Sequence, residues 1–182
     1  MRRVRRPAAL LAGPAVLAGT LTGCASVVPT VPECTAAVRL ALVAQSVPAA
    51  TYVPCLTELP TGWTVTRFEA ERGRTTFSLL SDRAEGREVD VRLAGRCDVT
   101  GATPEPPRTT GGRTYLRLRS ITPRYAGTLY DVFPGGCVSY RFDFARGPHI
   151  ALMADLFEAV DLLPRRQLRL DVRQELGQEL DP

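Results

Sequence analysis

Five cysteines and a single histidine are the residues of this chain whose types suit them best to chemistry. Cys24 stands early, and Cys34, Cys55, Cys97 and Cys137 follow. A thiol can be a nucleophile, a metal ligand or half of a disulfide. The C-x-x-C spacing of zinc sites is absent and His149 is the only imidazole, so no metal centre is expected. The even set of four beyond Cys24 suits two disulfides, for which three connectivities are open. Of these we expect Cys34 with Cys55 and Cys97 with Cys137. The first bridge would pin a proline-rich entry segment, and the second would join the end of one strand to the start of another. Loops of about 20 and 40 residues correspond to roughly 3 and 4 kcal/mol in the chain-entropy model. Two bridges would leave no thiol for nucleophilic catalysis.

Other catalytic arrangements find little footing, and no catalytic residue is assigned. His149 follows Gly147-Pro148, where a solvent-facing or capping role at a helix start is expected. No G-x-S-x-G elbow occurs, and the glycines form neither a phosphate-binding P-loop nor a dinucleotide fingerprint, so no cofactor is expected. The carboxylate pairs Asp155 with Glu158 and Glu175 with Glu179 have helical spacing, which reads as solvated faces. Carboxylates distant in sequence can still meet in space with separated pKa values, so a carboxylate-dependent hydrolase remains the alternative function. Arg117, Arg119 and Arg141 should share the polar face of a sheet with Asp90 and Asp143. Cross-strand pairing explains them without a ligand, whereas an anionic partner such as a lipid phosphate or wall polymer is the functional reading. Trp63 is expected in the core, with sugar stacking as its alternative.

The elements that must position these residues are mostly strands. Val89, Val91 and Leu93 alternate with Glu88, Asp90 and Arg92, and Val138, Tyr140, Phe142 and Phe144 alternate with Ser139, Arg141 and Asp143. Leu116 and Leu118 repeat the pattern, and the runs Trp63 to Phe68 and Thr75 to Leu80 are rich in β-branched and aromatic residues. Residues 101 to 112, with Pro104, Pro106 and Pro107, read as a loop. After Pro148 the period becomes about 3.6, with Ile150, Met153, Leu156, Phe157, Val160 and Leu163 on one stripe until Pro164 interrupts it. Residues 165 to 176 fit a helix or a strand, and so do residues 35 to 44. The expected fold class is α+β: an antiparallel β-meander of about five strands with one or two C-terminal helices packed on one face.

The first 23 residues have the zones of a signal peptide: Arg2, Arg3, Arg5 and Arg6, then an apolar stretch, then small residues. That stretch is shorter than the about 20 residues a bilayer span needs. Leu21-Thr22-Gly23-Cys24 resembles the lipobox of bacterial lipoproteins. The resemblance implies cleavage before Cys24 and a diacylglyceryl thioether on that residue. The segments Val53-Pro54-Cys55, Leu59 to Trp63 and Phe133 to Cys137 are also similar to uncharacterised actinobacterial lipoproteins, and a chain whose basic residues are all arginine fits a GC-rich genome. Residues 1–23 are thus expected to be the cleaved signal, 24–33 a lipidated tether reaching up to about 30 Å, and 34–182 a single exported domain. The two arginine pairs leave general and twin-arginine export both open.

Cleavage also changes the charge. Losing the four signal arginines from 23 basic residues leaves 19 against 19 acidic ones, so the net charge of +4 belongs to the precursor. A neutral mature domain gives no basis for nucleic-acid binding. The expected partners are the membrane, through the N-terminal lipid, and an envelope protein, lipid or wall polymer. The expected function is a membrane-anchored, non-catalytic binding or accessory module facing outside the cytoplasm.

Overall fold

The computed structural model describes residues 31–85, 87–144 and 149–180. In chain order the elements are α1 (Ala37–Ser46), β1 (Tyr52–Leu56), β2 (Trp63–Glu71), β3 (Arg74–Ser81), β4 (Glu88–Ala94), β5 (Thr103–Glu105), β6 (Arg113–Ser120), β7 (Tyr125–Phe133), β8 (Gly136–Phe144), α2 (His149–Ala159), β9 (Val160–Pro164) and α3 (Arg165–Leu176). One seven-stranded sheet runs β2-β3-β4-β8-β7-β6-β5, and β1 pairs with β9 in a two-stranded ribbon. All these pairings are antiparallel, as short connections require between strands consecutive in the chain, while β4–β8 and β1–β9 join distant segments. The architecture is α+β.

Alternation in the strands sorts the two faces of the large sheet. Val91 lies opposite Tyr140 and Leu93 opposite Val138, and these side chains join Phe77, Leu79 and Leu129 on an inner face. The helices lay Leu40, Val43, Leu152, Leu156, Leu168 and Val172 into the same cluster. The outer face is polar. There Ser78 donates to Asp90 at 2.9 Å, and Arg141 meets Asp90 across the strand pair at 3.5 Å. Asp143 accepts from Arg124 Nε at 2.9 Å and also faces Arg87. The Arg124 hydrogen bond, helped by the charges of Arg124, Arg87 and Arg119, holds the Asp143 carboxyl below the usual carboxylate range.

Several elements differ from the sequence expectation. The large sheet has seven strands rather than about five, because β7 and β5 were not visible as alternating runs. In β7 the inner positions are Tyr125, Gly127, Leu129, Asp131 and Phe133, so a glycine and an aspartate interrupt the apolar set. The supposed loop at 101 to 112 contains β5, paired with β6. The helical stripe expected to run through Val160 and Leu163 stops at Ala159. Val160 to Pro164 instead form β9, whose backbone groups are taken by β1. The two ambiguous segments are helices, α1 and α3, and α3 ends at Gly177 in the left-handed region.

Disulfides join Cys34 to Cys55 and Cys97 to Cys137. The first ties the entry segment to β1, beside a bridge between Glu33 and Leu56 and a Cys34 N–H to Leu56 carbonyl bond of 2.8 Å. The second fastens the loop after β4 to the start of β8. Gly135, in the turn between β7 and β8, has φ +75°, and a Cβ there would sit 1.6 Å from the Ala49 carbonyl oxygen. Only glycine fits that approach. No described helix is long and apolar enough to cross a membrane.

Candidate functional site

Helix α2 bridges the inner face, and its two flanks have different fates. Leu152 and Leu156 point into the core. On one flank Asp155 accepts from Trp63 Nε1 at 3.1 Å and is also bound by Arg83. Trp63 is therefore a core residue that clamps the helix, and Asp155 is not the solvated residue its spacing with Glu158 suggested. The other flank, carrying Ile150, Met153 and Phe157, faces Leu116 of β6 and Tyr125 and Leu129 of β7 across a pocket of about 490 Å³.

The walls of this pocket are apolar and aromatic. His149 stacks on Tyr125 with ring centroids 4.6 Å apart, so it is part of the pocket wall rather than a solvent-facing cap. Burial, with a smaller contribution from Glu105, pushes the Tyr125 hydroxyl above its ordinary value. Ile150 lines the pocket yet is 79% exposed, which makes the mouth apolar as well.

The floor is built from a buried ion pair. Arg108, delivered by the segment after β5, donates from Nη1 to Asp131 Oδ2 at 2.9 Å and from Nη2 to the Val160 carbonyl at 3.3 Å. Its guanidinium carbon lies 4.2 Å from the Phe157 ring centroid and 5.1 Å from that of Tyr140. Asp131, 1% exposed, also accepts from the Thr114 hydroxyl at 2.7 Å, and that hydroxyl accepts from the Arg108 N–H at 3.2 Å. The Tyr140 hydroxyl is fully buried beside Arg108 and Asp131 without hydrogen-bond geometry to either. Burial pushes its pKa up, which keeps it a neutral phenol. A guanidinium has five N–H donors. With two of them used, Arg108 keeps donors for a ligand acceptor while Asp131 cancels its charge.

Residues singled out from sequence are scattered relative to this pocket. Arg141 pairs with Asp90, Arg117 lies over Tyr130 at 5.3 Å, and Arg119 sits near Asp143, all on the outer face. Glu175 is exposed, and Glu179 pairs with Arg173 at 2.7 Å. Cys24 and its motif lie outside the described residues. Among the described residues no three of His, Cys, Asp and Glu converge as metal ligands, and Asp131 is the single buried carboxylate. Sequence reading missed Arg108, Thr114 and Asp131. The available signal was an aspartate inside the apolar run Leu129 to Phe133, where a buried charge demands a partner.

Fold and pocket together define an α+β domain, held by two disulfides, with a preformed apolar pocket. Such bridges persist in oxidising compartments outside the cytoplasm, and the two found here suit that environment. Set against protein-family models, curated proteins and solved structures, the chain matches none.

Proposed function

We propose that the protein is a lipid-anchored module of the cell envelope whose exported domain binds the apolar part of a small amphiphile in the α2 pocket. The observation that carries this reading is the pocket itself. Its volume falls within the ordinary range for small-molecule sites, its walls are mostly apolar, and the polar residues among them are few: Glu105, Thr114, His149 and an Arg108 whose charge Asp131 cancels. Such a floor favours a neutral acceptor, for example an ester or amide carbonyl, over a free anion. The carboxylate-dependent hydrolase would need two carboxylates with separated pKa values, whereas Asp131 is committed to Arg108 and Thr114 and Glu105, the carboxylate lining the pocket, is exposed.

The route of the chain supports an envelope ligand. Glu33, at the end of the expected tether, bridges Leu56, which pairs with Val160, the residue directly after α2. The pocket helix therefore begins its C-terminal end at the entry point and extends about 16 Å away from it. With Val31 to Glu33 held beside β1, the seven residues from Cys24 to Thr30 would reach up to about 23 Å, enough to keep the mouth close to the bilayer surface.

Two measurements test this. In the first, Ala154, exposed on the pocket flank of α2, is changed to Trp so that the ring fills the cavity. Binding of the methyl ester of cis-parinaric acid, a neutral probe followed by its fluorescence, should weaken about tenfold or more, the loss of about 1.4 kcal/mol or more that a blocked apolar site implies. Unchanged affinity in a folded Ala154→Trp variant would remove the pocket from consideration. In the second, Cys24→Ala should abolish lipidation and leave the precursor largely unprocessed. Mass spectrometry showing a mature N-terminus elsewhere, without a lipid adduct, would refute the anchor.

A further inference from the structure

Most arginines on the outer face of the large sheet have a carboxylate partner. Arg67 pairs with Glu69, Arg141 with Asp90, and Asp143 serves Arg124 and Arg87. At the end nearest the Cys97–Cys137 bridge this pairing stops. There a recess of about 230 Å³ is lined by Arg92, Arg96, Arg117, Tyr130 and Ser139. Among the described residues neither Arg92 nor Arg96 makes an ion pair. The single acidic residue lining the recess, Asp98, accepts from the Thr100 N–H at 2.9 Å and stands 4.0 Å from Arg117. Three guanidinium groups thus face one carboxylate.

The arrangement is built into the fold. Arg92 on β4 lies opposite Ser139 on β8, and Ser139 lies opposite Tyr130 on β7, so these side chains form one row across three strands. Arg117 on β6, opposite Thr128, reaches diagonally to this row, its guanidinium 5.3 Å from the Tyr130 ring centroid, and the bridge to Cys137 holds the loop that carries Arg96. Arg117 donates from Nη2 to the Asp98 carbonyl, but its Nε–H is buried with no partner. That Nε–H is shielded from solvent, so a ligand in the recess would meet Arg117 through its Nη groups, beside the unpaired Arg92 and Arg96.

We infer that this recess binds a phosphate group, which accepts hydrogen bonds from the Nη groups of Arg117, from Arg92 and Arg96, and from the Ser139 hydroxyl. Guanidinium groups suit this because their forked donors match phosphate oxygens. The site lies on the sheet face opposite the apolar pocket and stands independently of it. The phosphate can be free or can belong to a lipid headgroup, and the two share the same recognition.

The test is a titration of the full-length protein in detergent, with arginine Nε–H resonances followed by NMR. Inorganic phosphate and glycerophosphoglycerol, the phosphodiester headgroup of a membrane lipid, are the two probes. A saturable shift at the Arg117 Nε–H is expected. Combining Arg92→Gln with Arg96→Gln should weaken binding by about tenfold or more, since charge-assisted hydrogen bonds are lost. Arg72→Gln, at an exposed turn outside the recess, should leave binding unchanged. Tighter binding of the diester assigns the site to a headgroup, tighter binding of inorganic phosphate assigns it to the free anion, and both support it. A non-saturable shift shared by all arginines, or unchanged affinity in the folded double variant, would overturn the site.

Discussion

Asp131→Ala is expected to lower the stability of the exported domain by about 3–5 kcal/mol, the usual cost of removing one partner from a buried ion pair. Asp131 is 1% exposed, whereas the Arg108 side chain is 22% exposed, so water can reach part of the orphaned guanidinium. The loss should therefore fall toward the lower end of that range. Thr114 would also lose its acceptor, and the N–H of Arg108 that rests on the Thr114 hydroxyl would be held less firmly. Asp131→Asn keeps the volume and one acceptor, so it should cost less than the alanine. Replacing both partners, with Asp131→Leu and Arg108→Met, should recover much of the loss, because no charge is then left buried. Chemical denaturation with linear extrapolation reads all three. A loss below about 1 kcal/mol for Asp131→Ala would show that water satisfies the orphaned Arg108 guanidinium and that the pair adds little stability.

The same residue explains where sequence reading stopped. Alternation in β4 and β8 was legible because both strands are central, with one face in the core and the other polar. Strand β7 sits beside them but keeps Asp131 and Gly127 on its core face and Tyr130 nearly buried on the other, so no period of two emerges. The interruption is also where the pocket floor lies, which is why the strand and the site were missed together. Helix α2 shows the complementary failure. Val160 and Leu163 continue the helical stripe, but Val160 and Leu162 equally continue an alternation about Asp161, and only pairing with β1 decides between them. That pairing spans more than a hundred residues of chain, beyond any local pattern.

The candidate site was legible only in fragments. His149 and Trp63 were noticed, but their partners Tyr125 and Asp155 come from distant elements. Cysteines were easier to read, since their number and spacing carry the information directly. The structure joins Cys34 to Cys55 and Cys97 to Cys137, the pairs expected from the positions of the entry segment and the strand ends.

Cys97→Ser combined with Cys137→Ser is expected to destabilise the domain by about 4 kcal/mol, and Cys34→Ser with Cys55→Ser by about 3 kcal/mol. The difference follows from the sequence separations of 40 and 21 residues, because the longer loop costs the unlinked, unfolded chain more entropy to close. Removing both bridges would take about 7 kcal/mol from a total that is about 5–15 kcal/mol for an ordinary domain. A chain lacking both should therefore lose about half or more of its stability, more than either single-bridge variant. Because the bridges act through the unfolded state, each deletion should also raise the denaturant m-value as that state expands. The longer bridge has a second consequence. It holds the loop carrying Arg96, so its removal should weaken phosphate binding in the outer recess, whereas loss of the Cys34–Cys55 bridge should not. A stability loss below about 1 kcal/mol for the Cys97 and Cys137 variant, at an unchanged m-value, would mean that β8 and the loop after β4 hold together without their covalent link.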